Sequence, residues 1–424
     1  MFACSILKIR IPFRPQFQYI RNYSTNVTSS LLKPSQIPQT VAISGKVLLP
    51  RTPLAIYGQD SAKFINGLLP IRPPEVDVDS RTKYTTMLNS SGRVTADLFI
   101  TCCHDNKPVQ KSLGIENQFC YILDLDHAAV KTALSVLNLH ALTADVEVKL
   151  LPDYEVYSLW DDVNDLESYA SKFDLFTPDP RVPGFGNRVI LPKLSSDTTE
   201  VAKRQELLNI PGLTDLSIQD YNLRRYLFGL PEGSEYRINK SLPLEYCVDY
   251  MGGIDFDKGC YLGQELVCRM HQQNMVRKRV TVVNINAEAL KDDKNNLIPN
   301  KDQEKDQEKV LDDVQDDVQD DVQATEDEIY KPEHFQLDPM TDIIDTTPAP
   351  HMDMFTPVFG KDSNVFRSKA ASRPSGKLID SIGNIGLAIL RTDTECHNFK
   401  VGDYNLTPIV PFWWPVSESE AASS

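Results

Sequence analysis

Several features that define other protein classes are missing from this sequence of 424 residues. No stretch approaches the roughly 18 to 20 consecutive apolar residues of a membrane-spanning helix, so we expect no membrane insertion. No two of the eight cysteines have Cys-x-x-Cys spacing, so a zinc ribbon, a thioredoxin-type dithiol and a ferredoxin-type cluster cradle lack their pattern. The formal charge of −15 argues against a nucleic-acid partner, which needs a basic surface.

Acidic residues are absent from the first 23 positions, which contain four basic residues and precede a hydroxyl-rich stretch. This composition is typical of a mitochondrial presequence. Pro12, Arg14 and Pro15 interrupt the apolar residues, which disfavours a secretory signal with an unbroken apolar centre. We therefore predict that residues 1–23 are a presequence and that the protein acts in the mitochondrial matrix. The alternative is a basic terminus without a targeting role.

The acidity is concentrated in residues 291–328, which hold five lysines and fifteen acidic residues. Within this segment Asp-Asp-Val-Gln occurs three times in succession, from Asp312 to Gln323. So few apolar groups cannot bury enough surface to offset the entropy of ordering the chain. We predict a solvated, disordered insertion at about 287–354, although valines spaced four apart also allow a transient helix.

The rest of the chain alternates between strand and helix patterns, and two strand–helix–strand units predict an α+β fold with antiparallel sheets. Helices are expected near 60–68, 126–137, 165–173, 214–227 and 262–271. After Ser375 no helical period is found, and Gly383-Asn384 between two apolar runs indicates a tight hairpin. We predict an α+β region of two subdomains at 46–275 and an all-β barrel at 276–416, interrupted by the insertion.

Cys260 has the most distinctive surroundings of the cysteines, in the run Asp257-Lys258-Gly259-Cys260-Tyr261-Leu262-Gly263-Gln264-Glu265. The neighbouring Lys258 and a following helix would favour its thiolate, and the two glycines permit close approach of a backbone or ligand. Cys260 and Lys258 are therefore the candidate catalytic residues. Cys268 and His271 could join Cys260 in a metal site, but the spacing matches no familiar ligand pattern, and a half-buried free cysteine is the alternative.

A second candidate is Asp97, which follows a glycine-containing turn on an expected strand. A buried carboxylate at that position could hold a charged ring nitrogen, or it could merely satisfy a turn. Composition and spacing do not decide between these two roles.

The run from Lys258 to Glu265, with Arg269 and the basic triplet Arg277-Lys278-Arg279 after it, resembles the signature of the YgfZ/GcvT family. Within that signature Gly259, Tyr261, Gly263, Gln264 and Glu265 accompany the lysine and the cysteine. Further matches follow in order over about 46–286 and 355–411, among them Tyr57–Asp60, Leu88–Arg93, Asp179–Arg181, Pro231–Gly233 and Leu242–Glu245.

The resemblance implies a fold like that of the glycine-cleavage aminomethyltransferase, with antiparallel-sheet domains around a central channel and a C-terminal β-barrel. It also implies an iron–sulfur cluster assembly factor that works with A-type carriers and client apoproteins of the aconitase, lipoyl-synthase and biotin-synthase types. A transient iron–sulfur cluster and tetrahydrofolate are the ligands it suggests, with Asp97, Arg93 and Arg269 at the folate pocket.

Two departures separate this chain from true aminomethyltransferases. It carries Ala96-Asp97 where those enzymes have paired aspartates, and it has no Gly-Tyr-Thr-Gly-Glu stretch. A folate-dependent transferase is therefore the alternative function. A docking module with a purely structural Cys260 is a third reading.

Overall fold

The architecture is seen in a computed structural model that describes residues 42, 44–76, 81–115, 118–162, 164–193, 208–286, 362–367, 374–392, 399–402 and 404–415. The predicted presequence and the predicted acidic insertion lie outside these ranges. No helix within them is long and apolar enough to cross a membrane.

Strands dominate the described chain and pair antiparallel in three sheets. The strands are β1 (Ser44–Leu49), β2 (Arg51–Tyr57), β3 (Thr82–Leu88), β4 (Val94–Cys102), β5 (Cys120–Asp126), β6 (Glu147–Leu150), β7 (Tyr154–Asp161), β8 (Leu175–Pro178), β9 (Asn187–Pro192), β10 (Lys278–Asn286), β11 (Ser363–Arg367), β12 (Gly376–Ile382), β13 (Ile385–Arg391), β14 (Phe399–Val401) and β15 (Tyr404–Ile409). The α-helices are α1 (Ser61–Leu68), α2 (Lys107–Leu113), α3 (Val130–Ala141), α4 (Ile218–Phe228) and α5 (Gln264–Gln272).

A five-stranded sheet in the order β3-β4-β5-β2-β6 places its two faces in different surroundings. Leu54, Ile56 and Leu98 belong to the apolar cluster that this sheet forms with α1 and α3. Because successive side chains of a strand point to opposite faces, Arg51 and Asp97 lie on the other face, toward the centre of the molecule. The alternation thus carries charged groups inward.

A four-stranded sheet in the order β1-β7-β9-β8 lies on the far side of that centre. Val189 and Leu191 of β9 pack in an outer apolar cluster, whereas Ile190 joins the central one. The same alternation turns Arg188 inward, so both sheets direct charged side chains into the space between them.

The last six strands close a barrel in the order β10-β13-β12-β11-β14-β15. Val283, Leu378 and Phe399 are among the residues that fill its interior. The β12–β13 hairpin turns at Gly383, whose φ of 57° suits the tight turn predicted there. The predicted α+β class with a C-terminal all-β barrel is confirmed; the domain boundaries stay a prediction.

Several helix boundaries differ from the sequence expectations. Helix α3 begins at Val130, because the Asp126 carboxylate accepts the Ala128 N–H and closes a turn before the helix. Helix α4 begins after Ser217, which forms a capping box with Asp220. The expected helix near 165–173 is a short 3₁₀ helix, Glu167–Lys172.

Helix α2 was not expected from the sequence, although its signals are present. The Asn106 side chain accepts from the Val109 N–H, Pro108 occupies the first turn, and Gly114 ends the helix in the left-handed conformation. Seven residues are too few for a periodic pattern to stand out.

Candidate functional site

The loop that carries Cys260 is held against the chain segment that follows helix α1. The Lys258 ammonium is buried and donates to the carbonyls of Asn66 at 2.5 Å, Leu69 at 2.6 Å and Ile71 at 3.0 Å. Carbonyls at the end of a helix lack partners within the helix and attract a cation. Lys258 therefore fixes the loop to the carboxyl end of α1.

Further bonds attach this loop on both sides of Cys260. The Leu262 N–H donates to the Gly67 carbonyl at 3.2 Å, and the Asp255 N–H donates to the Pro70 carbonyl at 2.9 Å. Arg72 pairs with the Asp255 carboxylate at 2.9 Å. The loop is thus held in a defined position before any ligand binds.

The commitment of Lys258 to main-chain carbonyls changes the role expected for it. An ammonium has three N–H donors, and three carbonyls occupy them. Burial lowers the pKa of Lys258 to about 8, against the opposing effect of the Asp255 carboxylate. The structure therefore gives Lys258 a positioning role, with no donor left for the Cys260 thiol.

Cys260 itself is exposed to solvent, in contrast to the other described cysteines. Cys102, Cys103, Cys120 and Cys247 are buried, and burial raises the pKa of both Cys120 and Cys247 to about 12. Such thiols stay protonated and unreactive at physiological pH. Cys268 is half-buried. Within the described chain, Cys260 is the cysteine most accessible to an incoming group.

The two glycines that flank Cys260 are used differently. Gly263 has a φ of 79° and ends the loop before α5; a Cβ on it would lie 3.0 Å from the Gly92 Cα, so this glycine permits close packing against the turn at 89–92. A Cβ on Gly259 would meet no heavy atom of the described residues within 4 Å. The sequence predicted close approach of a backbone or ligand at both glycines. Gly263 makes such an approach to another part of the same chain, and Gly259 makes none with the described residues.

The weak metal set of Cys260, Cys268 and His271 is not assembled. No group of three His, Cys, Asp or Glu side chains in the described ranges is placed to hold a metal ion. Helix α5 begins at Gln264 and not at Leu262, so Cys260 lies in the loop while Cys268 lies on the helix. The His271 ring stacks on Phe256 at 3.6 Å between centroids.

The remaining signature residues surround the start of α5. Tyr261 is buried, and burial first and the nearby Cys268 thiol second raise the pKa of its hydroxyl. Gln264 is half-buried at the first position of α5, and Glu265 is exposed beside it. Tyr261 anchors the loop, whereas Glu265 and Arg269 face solvent on the following helix.

The residues proposed for a folate pocket lie in different local surroundings. Asp97 is 1% exposed between the two sheets. Arg93 is half-buried in a surface turn and donates to the Lys240 carbonyl at 3.0 Å, while Arg269 is exposed on α5. The grouping of these three residues in a folate pocket stays a prediction, since the resemblance identifies motif residues but does not give the side-chain partners of Asp97.

Asp97 belongs instead to a buried ionic cluster, which we define as Arg51, Asp97, Asp124, Asp179, Arg181, Arg188, Tyr221 and Glu232. Arg51 donates to Asp97 Oδ2 at 3.0 Å, to Asp124 Oδ1 at 2.5 Å and to Glu232 Oε1 at 3.2 Å. The Gly233 N–H donates to Asp97 Oδ1 at 3.0 Å. Both carboxylate oxygens of Asp97 therefore already accept hydrogen bonds.

The other half of the ionic cluster is equally well paired. Arg181 donates to Glu232 Oε2 at 2.6 Å and to Asp179 Oδ2 at 2.7 Å, and Arg188 donates to Asp124 Oδ2 at 2.5 Å. Burial alone would raise the pKa of Glu232, but the guanidinium groups of Arg181 and Arg51 outweigh it and hold this pKa well below its usual range. Each carboxylate of the cluster therefore accepts a hydrogen bond from at least one arginine of the cluster.

These contacts test whether Asp97 could hold a charged ring nitrogen of folate. Asp97 is buried, and its two oxygens already accept from the Arg51 guanidinium and the Gly233 N–H, so the residues present do not fit that role. Sequence reasoning missed the cluster, although a signal existed: Arg51, Asp97 and Asp124 are charged positions within otherwise apolar strand segments.

Comparisons with known proteins find similar sequences over much of this chain. A family model described as CAF17, C-terminal beta-barrel domain, matches residues 360–416. A protein of Coccidioides immitis, named iron-sulfur cluster assembly factor IBA57 homolog, mitochondrial, is 29% identical over 361 residues, 82% of this chain and 71% of that protein. A relative of the same name from Aspergillus oryzae is 33% identical over 293 residues, 63% of each chain. The resemblance to the YgfZ/GcvT family is confirmed.

The fold comparison extends this family likeness to the whole architecture. The crystal structure of glycine cleavage system aminomethyltransferase T from Bartonella henselae superposes with a TM-score of 0.56 over 89% of this chain and 90% of that one. At 10% sequence identity the likeness shows the fold alone, and it confirms the aminomethyltransferase-like architecture.

The names of the relatives describe them as mitochondrial, which supports the predicted mitochondrial location. The chain spans less than two thirds of the length of the Aspergillus oryzae relative.

Proposed function

We propose that this chain is a mitochondrial matrix factor for the maturation of four-iron, four-sulfur proteins, of the aconitase, lipoyl-synthase and biotin-synthase types. It would work with A-type carriers and deliver clusters to client apoproteins. One observation carries the proposal: the signature cysteine, Cys260, is exposed on a loop that Lys258 pins to the protein. The names of the relatives support the same activity.

The chemistry of clusters explains why such a factor would need a partner. Iron–sulfur clusters are held by several thiolate ligands, commonly four. Cys260 offers one, and no described group of three metal-binding side chains accompanies it. An iron–sulfur cluster that meets Cys260 would therefore take its other ligands from a second protein, as a carrier or a client would supply them. The cluster is the cargo in this scheme, not a resident cofactor.

The test is replacement of Cys260 by serine in cells depleted of the endogenous chain. We expect aconitase and lipoyl-synthase activities to stay low with Cys260→Ser, at a normal level of the variant protein. The matched control is Cys268→Ser, eight residues later and half-buried, which should restore both activities. Full restoration by Cys260→Ser would contradict a role for the thiol and favour a docking module with a structural cysteine.

A folate-dependent transferase is the second candidate, because the fold is that of an aminomethyltransferase. Against it stand the burial of Asp97 and the hydrogen bonds that both of its carboxylate oxygens already accept. The measurement is calorimetric titration of tetrahydrofolate into the purified full chain. We expect no binding that depends on Asp97; saturable binding abolished by Asp97→Asn in a folded variant would instead favour the transferase.

A further inference from the structure

A group of cations lies beside the point where the chain re-enters the barrel after the predicted insertion. We define this basic face as Arg93, Arg237, Lys240 and Lys278. Arg237 Nε lies 3.5 Å from Oδ1 of Asp362, the first residue described after the insertion. The Arg93 side chain donates to the Lys240 carbonyl at 3.0 Å, and the Lys240 N–H donates to the Arg237 carbonyl at 3.0 Å. These contacts bring three of the four cations into one region.

Lys278 joins the basic face through Glu245. The Val280 N–H donates to the Glu245 carbonyl at 2.7 Å, which holds the segment of Glu245 against the start of β10, where Lys278 lies. Burial raises the pKa of the Glu245 carboxylate, although the charges of Lys278 and of both arginines of the basic face oppose that rise. Four cations thus share this region with two carboxylates, Glu245 and Asp362, so the basic face carries excess positive charge.

The pairing of Arg237 with Asp362 leaves this guanidinium incompletely bonded. Charge-assisted hydrogen bonds between nitrogen and oxygen have lengths of about 2.7–2.9 Å. The distance from Arg237 to Asp362 is longer, and Arg237 Nε has no hydrogen-bond acceptor among the described residues. Lys240 is exposed, and the other three cations are half-buried. The basic face is therefore accessible to a further anionic group.

We propose that the basic face docks an acidic segment of this same chain, residues 312–328, which we call the acidic repeat. The acidic repeat holds nine acidic side chains and no basic one, so its charge is complementary to that of the basic face. The connection that contains it leaves the barrel after β10 and returns at Asp362, next to Arg237. The inference does not depend on the proposed function.

The length of this connection favours docking within one chain. About 40 residues separate the middle of the acidic repeat from Asp362. A random coil of that length has a root-mean-square end-to-end distance of about 35 Å. Such a tether gives an effective concentration in the millimolar range, so several weak ion pairs between exposed side chains are sufficient for docking. An acidic protein in free solution has no such advantage.

Zero-length cross-linking of the purified full chain tests this docking. A water-soluble carbodiimide activates a carboxylate, a lysine amine forms an amide bond with it, and the water that is removed converts the carbodiimide to a urea. Lys240 and Lys278 report on the basic face. The control is Lys377, which pairs with Asn364 two residues after Asp362 and is half-buried, as Lys278 is. Mass spectrometry counts the amide links between the acidic repeat and each lysine.

The expected result is an excess of links at Lys240 and Lys278 over links at Lys377. We expect about a five-fold excess at low ionic strength, because several exposed ion pairs each add a small factor. The excess should disappear near 1 M salt, where the Debye length falls to about 3 Å.

Two kinds of variant locate the contact. Arg93→Gln and Arg237→Gln keep both reporter lysines and should each reduce the excess, whereas Arg81→Gln, which changes an arginine paired with Asp105, should not. A further variant changes no described residue and should reduce the links from the remaining acids at 326–328. It combines Asp312→Asn, Asp313→Asn, Asp316→Asn, Asp317→Asn, Asp320→Asn and Asp321→Asn. The thermal midpoint of each variant confirms that the chain is folded.

The contrary results are distinct. Equal numbers of links at Lys240, Lys278 and Lys377 would mean that the tether alone brings the segments together, and would overturn the inference. An excess that survives in the repeat variant, or in both arginine variants, would also overturn it. The last measurement uses an equal mixture of ¹⁵N-labelled and unlabelled chains: links confined to one isotope support docking within a chain, and mixed links as frequent as uniform ones would assign the occupant to a second copy.

Discussion

The ionic cluster and the Cys260 loop are both held by buried cations, but the cluster lies in the protein interior and the loop exposes a thiol to solvent. In the cluster, Arg51 and Arg181 each bind carboxylates that other arginines or main-chain groups also contact, so the charged side chains are paired inside the protein. In the loop, the Lys258 ammonium donates to main-chain carbonyls, and the thiol of Cys260, two residues later, is exposed to solvent. The charged side chains of the ionic cluster thus bond one another inside the protein, whereas the Cys260 loop holds its thiol at the surface on a fixed main chain.

The largest expected effect comes from breaking the cluster. Removing one member of a buried ionic network leaves an unpaired charge, which costs about 3–5 kcal/mol of stability. We expect Arg51→Met to lower the free energy of unfolding by about that amount in urea denaturation. The matched control is Arg81→Met, whose partner Asp105 is nearly half exposed, and which should cost about 1 kcal/mol or less. Equal effects of the two variants would contradict the closed cluster.

The cluster should also shape the dependence of stability on acid. Glu232 has a lowered pKa, so its stabilising contribution is complete above the ordinary glutamate value of 4.5 and is lost as the pH falls below it. Glu232→Gln should therefore flatten the fall of unfolding free energy below about pH 4.5.

Glu245 serves as the control for Glu232, because its pKa is shifted in the opposite direction. Burial raises its pKa, so the folded state keeps this proton to a higher pH than the unfolded state and is destabilised as the pH rises. Glu245→Gln should remove that penalty at neutral pH. Denaturation series at matched ionic strength would check both slopes, and slopes of the same sign would count against the cluster.

A smaller effect is expected from the support of the open site. Lys258→Met removes three hydrogen bonds and leaves carbonyls of the α1 end without their donor, at a cost of about 1–3 kcal/mol. The loop should loosen, so hydrogen exchange at residues 255–262 should quicken while exchange in the barrel strand β13 stays slow. Unchanged exchange in the loop would remove the positioning role.

The smallest expected effect separates the two glycines. Gly263→Ala forces a non-glycine residue to a positive φ and against Gly92, which should cost about 1–2 kcal/mol. Gly259→Ala should leave the thermal midpoint unchanged or slightly higher, because φ lies outside the left-handed region there and a Cβ meets no described atom within 4 Å. Calorimetry of the two variants gives the difference between their unfolding free energies. A Gly263→Ala variant as stable as the wild type would show that the fold does not need the close contact between Gly263 and Gly92.

Much of the architecture could be read from local signals. The hairpin at Gly383 is visible in the sequence because turn chemistry acts locally. The start of α4 was misplaced because Thr214 and Ser217 are both acceptable caps, and the choice depended on Asp220 completing a capping box.

The sequence by itself determined that Cys260 is the distinctive thiol, since its motif and its neighbours in the chain are contiguous. Only the tertiary structure decided what surrounds it and what surrounds Asp97. Lys258 lies two residues from Cys260 in the chain, but its donors are taken by carbonyls almost two hundred positions earlier. Arg51 and the Gly233 N–H reach Asp97 from distant segments in the same way. Long-range pairing of charges depends on how sheets and loops pack, and no local period encodes it.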